Sequence, residues 1–329
     1  MSCACYETEK ITLSLGETCK TDKSLCRFLL RFMQNPIFSV ITTGRGEKDR
    51  KVLEETFDNW EIAKKVFEEK NGKSKAIEFI IVDAGENAKF PEIGDSTIIS
   101  PKEYDEYRRE LWNSGIIKYS WWDSPSIGRN LGFKHAKGRI IVFNDVDSLF
   151  STGTEIDDAY LFSELDKYDN YFKVMHYAFK RKDVVATVPS LRPRDRLNLG
   201  RRSGIMGLNF ITRLSLKLPT IRIHGIPVIG ASVPGCSIAL LYTVACRMSN
   251  NGNGPYDPEL GVAEDHKISR LTATFGRISY EKRAGVFTRT QNRVSDGFDI
   301  AKSLGYAFKG ATYYMFPDLF KYHRHSLTI

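Results

Sequence analysis

No Cys-x-x-Cys pair occurs in this chain, and no group of Cys and His has the spacing of a zinc site. Cys3, Cys5, Cys19 and Cys26 lie near the start, and Cys236 and Cys246 in one apolar stretch. Free thiols in a reducing cytosol are the expected state, with N-terminal disulfides as the open alternative. A secretory leader is not expected, because residues 1–10 lack a basic start followed by an apolar run. Long charge-free runs are scarce. The one from His224 to Cys246 lacks Lys, Arg, Asp and Glu and is long enough to span a bilayer. Gly225, Pro227, Gly230, Pro234 and Gly235 interrupt it. The expectation is therefore a buried loop, a strand and a helix start. Repeats, low-complexity linkers and RNA-binding or helix-turn-helix signatures are also missing, so nucleic acid is not an expected partner.

What is present suits one large α/β domain with an appendage: 329 residues, 42% hydrophobic and 27% charged. The net charge of +8 favours anionic partners such as nucleotides, phospholipid surfaces or nucleic acid, without choosing among them. Residues 1–35 read as an N-terminal appendage with a helical pattern at Leu25–Met33. Residues 36–150 then carry strands at Ile37–Ile41 and Ile77–Val82 around a helix at Lys51–Glu69. Strand, helix, strand in that order predicts a βαβ unit and a parallel sheet. A helix is expected at Tyr104–Trp112, a short strand at Ile116–Trp121 and a helix at Ile127–Ala136. Residues 151–290 form a second half of the same domain, with an exposed basic loop at Leu191–Arg202 and a helix at Glu264–Ala273. Strands or loops are expected near Ile278–Phe287. Residues 291–329 read as a C-terminal extension with a basic tail at Lys321–His325.

The most informative stretch is Arg139-Ile-Ile-Val-Phe-Asn-Asp-Val-Asp147. Four apolar residues form a buried strand, and two carboxylates follow at once. Ligands of open α/β sheets bind beyond the carboxyl ends of the strands. There Asp145 and Asp147 can face one Mg²⁺ or Mn²⁺, cations that favour oxygen ligands. The plainer reading is a pair of solvated loop acids or a helix cap. Asp83 ends another strand, as a nucleoside-binding acid or as the turn former before Ala84-Gly85. In Ser126-Ile-Gly-Arg-Asn130, Gly128 suits close backbone approach to a ligand. Arg129 suits a phosphate or the metal-binding acids, and Asn130 could fix a loop carbonyl. Against this, Ser126 could simply cap the helix. Glu264-Asp265 offers a general base, or merely acids in a first helical turn. His224, His266, His323 and His325 show no catalytic spacing.

Taken together, the order of these pieces from about Phe38 to Leu271 resembles the family 2 glycosyltransferases. Phe79-Ile-Ile-Val-Asp-Ala-Gly85 is similar to the family's strand ending in a nucleotide-binding Asp. Gly128-Arg-Asn-Leu-Gly132 and Ala136-Lys-Gly138 match its Arg-Asn-x-Gly and Ala-x-Gly run. Asn144-Asp-Val-Asp147 matches its Asp-x-Asp motif. Gly235-Cys-Ser-Ile-Ala239 resembles the strand lining the acceptor side, and Glu264-Asp265 resembles the pair whose Asp is the usual base. Two departures stand out. Thr42-Thr-Gly-Arg-Gly46 replaces the family's Pro-Thr-Tyr type loop, and the processive members' Gln-x-x-Arg-Trp is absent.

The resemblance implies a GT-A type fold: a Rossmann-like, mostly parallel central sheet flanked by helices, with smaller acceptor-side and C-terminal elements. It implies a non-processive, metal-dependent, inverting transfer from a UDP- or GDP-sugar to a hydroxyl of a glycan, lipid or protein. Asp265 is then the catalytic base and Glu264 its fallback. Thr42, Asp83, Arg129, Asn130 and Asp145 lie on the donor side, and Asp145 and Asp147 hold Mn²⁺ or Mg²⁺. A cytoplasmic location follows, with peripheral membrane contact open. Two competitors remain: a sugar nucleotidyltransferase, and a non-catalytic basic protein binding nucleic acid or membrane through Arg192–Arg202.

Overall fold

The computed structural model describes residues 36–85, 90, 94–153, 168–193, 207, 209–218, 221–223, 226–229, 231, 233, 237–249, 252–261, 264–288, 312 and 316–322. The N-terminal appendage, most of the basic loop and most of the C-terminal extension lie outside them.

The first half is built of near-continuous apolar strands. β1 (Phe38–Gly44) pairs in parallel with β2 (Ile77–Asp83) on one side and β4 (Ile140–Asn144) on the other. β3 (Ser96–Ile99) adds to β2, also parallel. Such strands are apolar throughout because both their faces are covered. In β2, Phe79 and Ile81 face one core while Ile80 and Val82 face the other. In β4, Ile140 and Val142 take the first side, Ile141 and Phe143 the second.

Helices cover each face. α1 (Gly46–Asn71) buries Leu53, Trp60 and Phe67 on the Phe79 side. α4 (Tyr171–Ala178) joins it there through Phe172 and Met175. α2 (Pro101–Asn113) and α3 (Pro125–His135) cover the other face through Leu111, Ile127 and Leu131. α3 lies close to β1 because Gly128 and Gly132 leave no side chain between them. A Cβ at Gly128 would collide with Thr43, and one at Gly132 with Ile41. Gly128 thus serves helix–strand packing.

The second half extends the same sheet. β9 (Ser237–Leu241) runs antiparallel to β4 and to β6 (Val184–Pro193), and β10 (Arg277–Thr288) is parallel to β6. The two-residue β5 (Leu149–Phe150) closes the edge, giving the order β3-β2-β1-β4-β9-β6-β10-β5. Only β9 and β5 run against the rest, so the expected mostly parallel α/β sheet flanked by helices is what forms. Its continuity joins residues 36–150 to 151–290. β7 (Ile221–Ile223) and β8 (Ile226–Ile229) make a separate hairpin, and α5 (Tyr242–Met248) follows β9. The charge-free stretch therefore holds strand and helix start as expected. Among the described residues no helix is long and apolar enough to cross a membrane.

Three expectations need correction. Residues Ile116–Trp121 form turns, not a strand. Gly115 takes a left-handed conformation, φ 72°, and the amides of Ile116 and Ile117 both donate to Leu111 O. The backbone that a strand would pair sideways is spent closing α2. Arg192 and Pro193 belong to β6, paired with Phe287 and Thr288, and not to an exposed loop. Ser126 does not cap α3; its hydroxyl donates to Leu260 O at 3.1 Å, and Ser124 occupies the cap position.

Candidate active site

β1, β2, β4, β6 and β10 all end at one edge of the sheet, because they run the same way. The candidate residues gather at that edge. Arg129, in the second turn of α3, is their centre. It is 7% exposed. Its Nη2 lies 3.1 Å from Asp145 Oδ1, just past β4. Its Nη1 lies 3.0 Å from Glu264 Oε1 and 3.5 Å from Asp265 Oδ1, at the start of α6 (Glu264–Thr272). Three motifs separated by up to 136 positions are joined by one guanidinium. Arg suits this role because its planar fork holds several donors in fixed directions.

Burial opposes a charged Arg129, but Tyr256 and then Asp265, Glu264 and Asp145 raise its pKa well above the ordinary value. The Tyr256 ring lies under the guanidinium, 5.1 Å from ring centre to Cζ. Burial pushes the Tyr256 phenol well above its ordinary value, so the ring faces Arg129 as a neutral π surface.

Between Asn253 and Leu260 the chain before α6 is pinned at several points. Tyr107 hydroxyl donates to Asn253 O at 2.9 Å. Trp122 Nε1 and Ser124 Oγ both donate to Pro258 O, at 2.8 and 3.1 Å. Asn130 donates to Tyr256 O at 2.8 Å and accepts from Tyr256 N at 3.0 Å. Asn130 is fully buried, so its amide fixes a loop carbonyl, one of the two roles open to it from sequence. These bonds set where Glu264 and Asp265 stand. The two acids differ in access: the Glu264 side chain is 10% exposed and that of Asp265 23%. His266, next in the chain, is held neutral: burial and then Arg270 lower its pKa to about 4.

Asp147 lies on the β10 side of Asp145. Its Oδ1 accepts from Thr288 Oγ1 at 3.4 Å and Ser148 Oγ at 3.5 Å. Among the described residues no group of three or more His, Cys, Asp or Glu could hold a metal ion. Asp83 stands at the end of β2. It is fully buried, and its oxygens accept from Gly85 N at 3.0 Å and Phe90 N at 3.1 Å. Burial raises its pKa, and those two amides partly offset the rise. This is the turn-forming role that Ala84-Gly85 suggested. Thr42 is also buried, at 1% exposure, on β1. The structure thus brings Arg129, Asp145, Glu264 and Asp265 together, and keeps Thr42, Asp83 and Asn130 beneath the surface. Tyr256 was missed. A lone Tyr in a Gly-rich turn gives no periodic signal, although its place eight positions before Glu264 could have marked it.

No family model matches the chain, and no curated protein matches it. Among solved structures it is similar to S. aureus TarS. The 1–349 fragment aligns at 13% identity and TM-score 0.42, over 78% of this chain and 61% of that one. Longer TarS gives 14% and 0.43, over 77% and 36%. The 1–349 fragment in complex with UDP gives 12% and 0.46, over 75% and 59%. The chain therefore spans at most about three-fifths of these three structures, and likeness at this level says nothing of function.

Proposed function

We propose that this chain is a glycosyltransferase that moves a sugar from a nucleotide diphosphate to an acceptor hydroxyl with inversion. The observation that supports it is the meeting of Arg129 with Asp145, Glu264 and Asp265 at the carboxyl ends of the strands. These are the family motifs named above, and their joint order in the chain is far more specific than any one of them.

In this reading Asp265, the more accessible acid, takes the proton from the acceptor hydroxyl as that oxygen attacks the anomeric carbon. Glu264 stays paired with Arg129 and holds the start of α6. A single displacement from the face opposite the diphosphate inverts the carbon. Positioned proton transfer of this kind contributes about 10²–10⁴-fold. Asp145 and Asp147 are a hard-oxygen pair with no His or Cys. That donor set fits a Mg²⁺ or Mn²⁺ that completes its shell with substrate phosphates and water. Such an ion would offset the charge that builds on the leaving diphosphate. Asp83 acts through the loop it holds, shaping the base-side wall, and Asn130 through Tyr256. The donor is a UDP- or GDP-sugar, and residues 36–150 and 151–290 form its donor and acceptor halves.

The test is thermal denaturation with UDP-, GDP- and dTDP-sugars, with and without Mn²⁺. One donor should raise the melting temperature with Mn²⁺ present and lose that effect in EDTA. Absence of any donor effect overturns the proposal. Pyrophosphate release from a nucleoside triphosphate and a sugar phosphate would identify a nucleotidyltransferase instead.

A further inference from the structure

In residues 209–218 Leu216 packs against the core, but most of the large apolar side chains face outward. Thr212 and Ser215, small and polar, are buried, while Phe210, Ile211, Leu214 and Leu218 are 66, 59, 50 and 43% exposed. Residues 209–215 are helical and a turn carries the chain to 218. At helical spacing the four apolar residues form one outward stripe. Arg213 and Lys217 are exposed along one flank of it. An ordinary surface helix places its apolar residues inward; an exposed apolar stripe of this kind marks an interaction site.

The segment is firmly seated. Asn209 accepts from Leu191 N at 2.9 Å and donates to Leu191 O at 2.8 Å. The Arg213 guanidinium lies over the Tyr280 ring, 5.6 Å from its centre. The buried hydroxyl of Ser215 donates to Thr212 O at 2.8 Å, so this inward polar group is paired. Leu191 is near the carboxyl end of β6, so the stripe is tethered to the edge where the acids gather.

Charge selects the occupant. No Asp or Glu occurs between Asp195 and Asp257, whereas seven Arg and Lys do. Apolar anchors bordered by cations, with no acid in this stretch of chain, fit an anionic bilayer surface. We propose that Phe210, Ile211, Leu214 and Leu218 insert into the interfacial layer of an anionic phospholipid membrane, with Arg213 and Lys217 on its headgroups. This surface is distinct from the basic loop considered from sequence. The proposal does not depend on the glycosyltransferase reading, and its test reads no activity.

The test is flotation of the full chain with vesicles of phosphatidylcholine alone or with roughly a third phosphatidylglycerol. The wild type should float with the anionic vesicles, less at high salt. F210S/L214S should weaken partitioning at least about tenfold, because two apolar anchors are lost. R213E/K217E should abolish the preference for phosphatidylglycerol. F210S/L214S should melt as the wild type does, since those side chains are exposed; R213E/K217E should melt somewhat lower, because Arg213 leaves the Tyr280 ring, and a helical circular-dichroism spectrum like the wild type's shows that it is folded. A wild type that stays with the supernatant overturns the proposal, as does F210S/L214S floating unchanged. If light scattering shows a wild-type dimer that F210S/L214S dissolves, and vesicles are ignored, the stripe is a self-association face instead.

Discussion

Arg129 Nη1 stands 3.0 Å from Glu264 Oε1, across 135 positions of chain, and both groups are almost wholly buried. The pair couples α3 to the first turn of α6, so one contact ties together two elements that carry the clustered acids.

Arg129→Ala should therefore cost stability as well as activity. Removing one partner of a buried ion pair leaves the other charge uncompensated, a loss of about 3–5 kcal/mol. Two buried or half-buried acids beside it lose their cation too. Arg129→Lys should recover only part, because an ammonium cannot reach Asp145 and Glu264 from fixed directions at once. Urea denaturation of the three proteins checks this; equal midpoints would remove Arg129 from its central place.

Asp265→Asn should keep donor binding and lose turnover by roughly 10²–10⁴-fold. Glu264→Gln should retain more turnover but lower the melting temperature, since its partner Arg129 is left with a neutral amide. Calorimetric donor titration beside steady-state rates separates the two. Loss of donor affinity in Asp265→Asn would make Asp265 a binding residue.

Gly132→Ala should destabilise by about 1–3 kcal/mol, because overfilling a packed core forces side chains or backbone to move. The new methyl would meet the Ile41 side chain, with Val82 Cγ2 next at 3.2 Å. Gly46→Ala is the contrasting control. Nothing lies within 4 Å there, but φ is +71°, so its cost is backbone strain and not collision. Compensation of Gly132→Ala by Ile41→Val, and not of Gly46→Ala, would separate the two causes.

Acid should weaken the fold before its carboxylates titrate. His266 and His176 both have pKa values lowered from 6.5 to about 4, first by burial. The unfolded chain thus binds more protons than the folded one between those values, so stability is present above about 6.5 and falls as pH drops toward 4. Asp83 and Asp49, whose pKa values burial raises, act in the opposite sense from the ordinary carboxylate range upward. His266→Gln should flatten the fall in melting temperature between pH 7 and pH 5. An unchanged slope would show that His266 is not held neutral in the folded state.

Much of the first half was legible in the sequence because its strands are buried on both faces. Ile77–Val82 and Ile140–Phe143 are apolar runs of strand length, and α1 carries a helical period over 26 residues. β6 was hidden because its sequence, Val-Val-Ala-Thr-Val-Pro-Ser-Leu-Arg-Pro, carries prolines and merges into basic residues. Its strand character comes from β10 and β9 on either side. Ile116–Trp121 misled in the other direction: aromatic and β-branched residues favour strands, but a left-handed Gly115 turned the chain before any neighbour could pair with it.

What the sequence determined by itself is the alternation of elements and the order of Asp83, Arg129, Asp145 and the Glu264-Asp265 pair. Periodicity and strand-end acids are local properties and survive reading in one dimension. Only the tertiary structure decided which of these acids share a cation and which lie beneath the surface. Asp83 and Asp145 both end strands, yet one is spent on the backbone amides of its own loop and the other on Arg129. That choice depends on which helix crosses above each strand end, and on a loop from Asn253 to Leu260 held by residues more than a hundred positions away. Such contacts leave no mark on the local pattern.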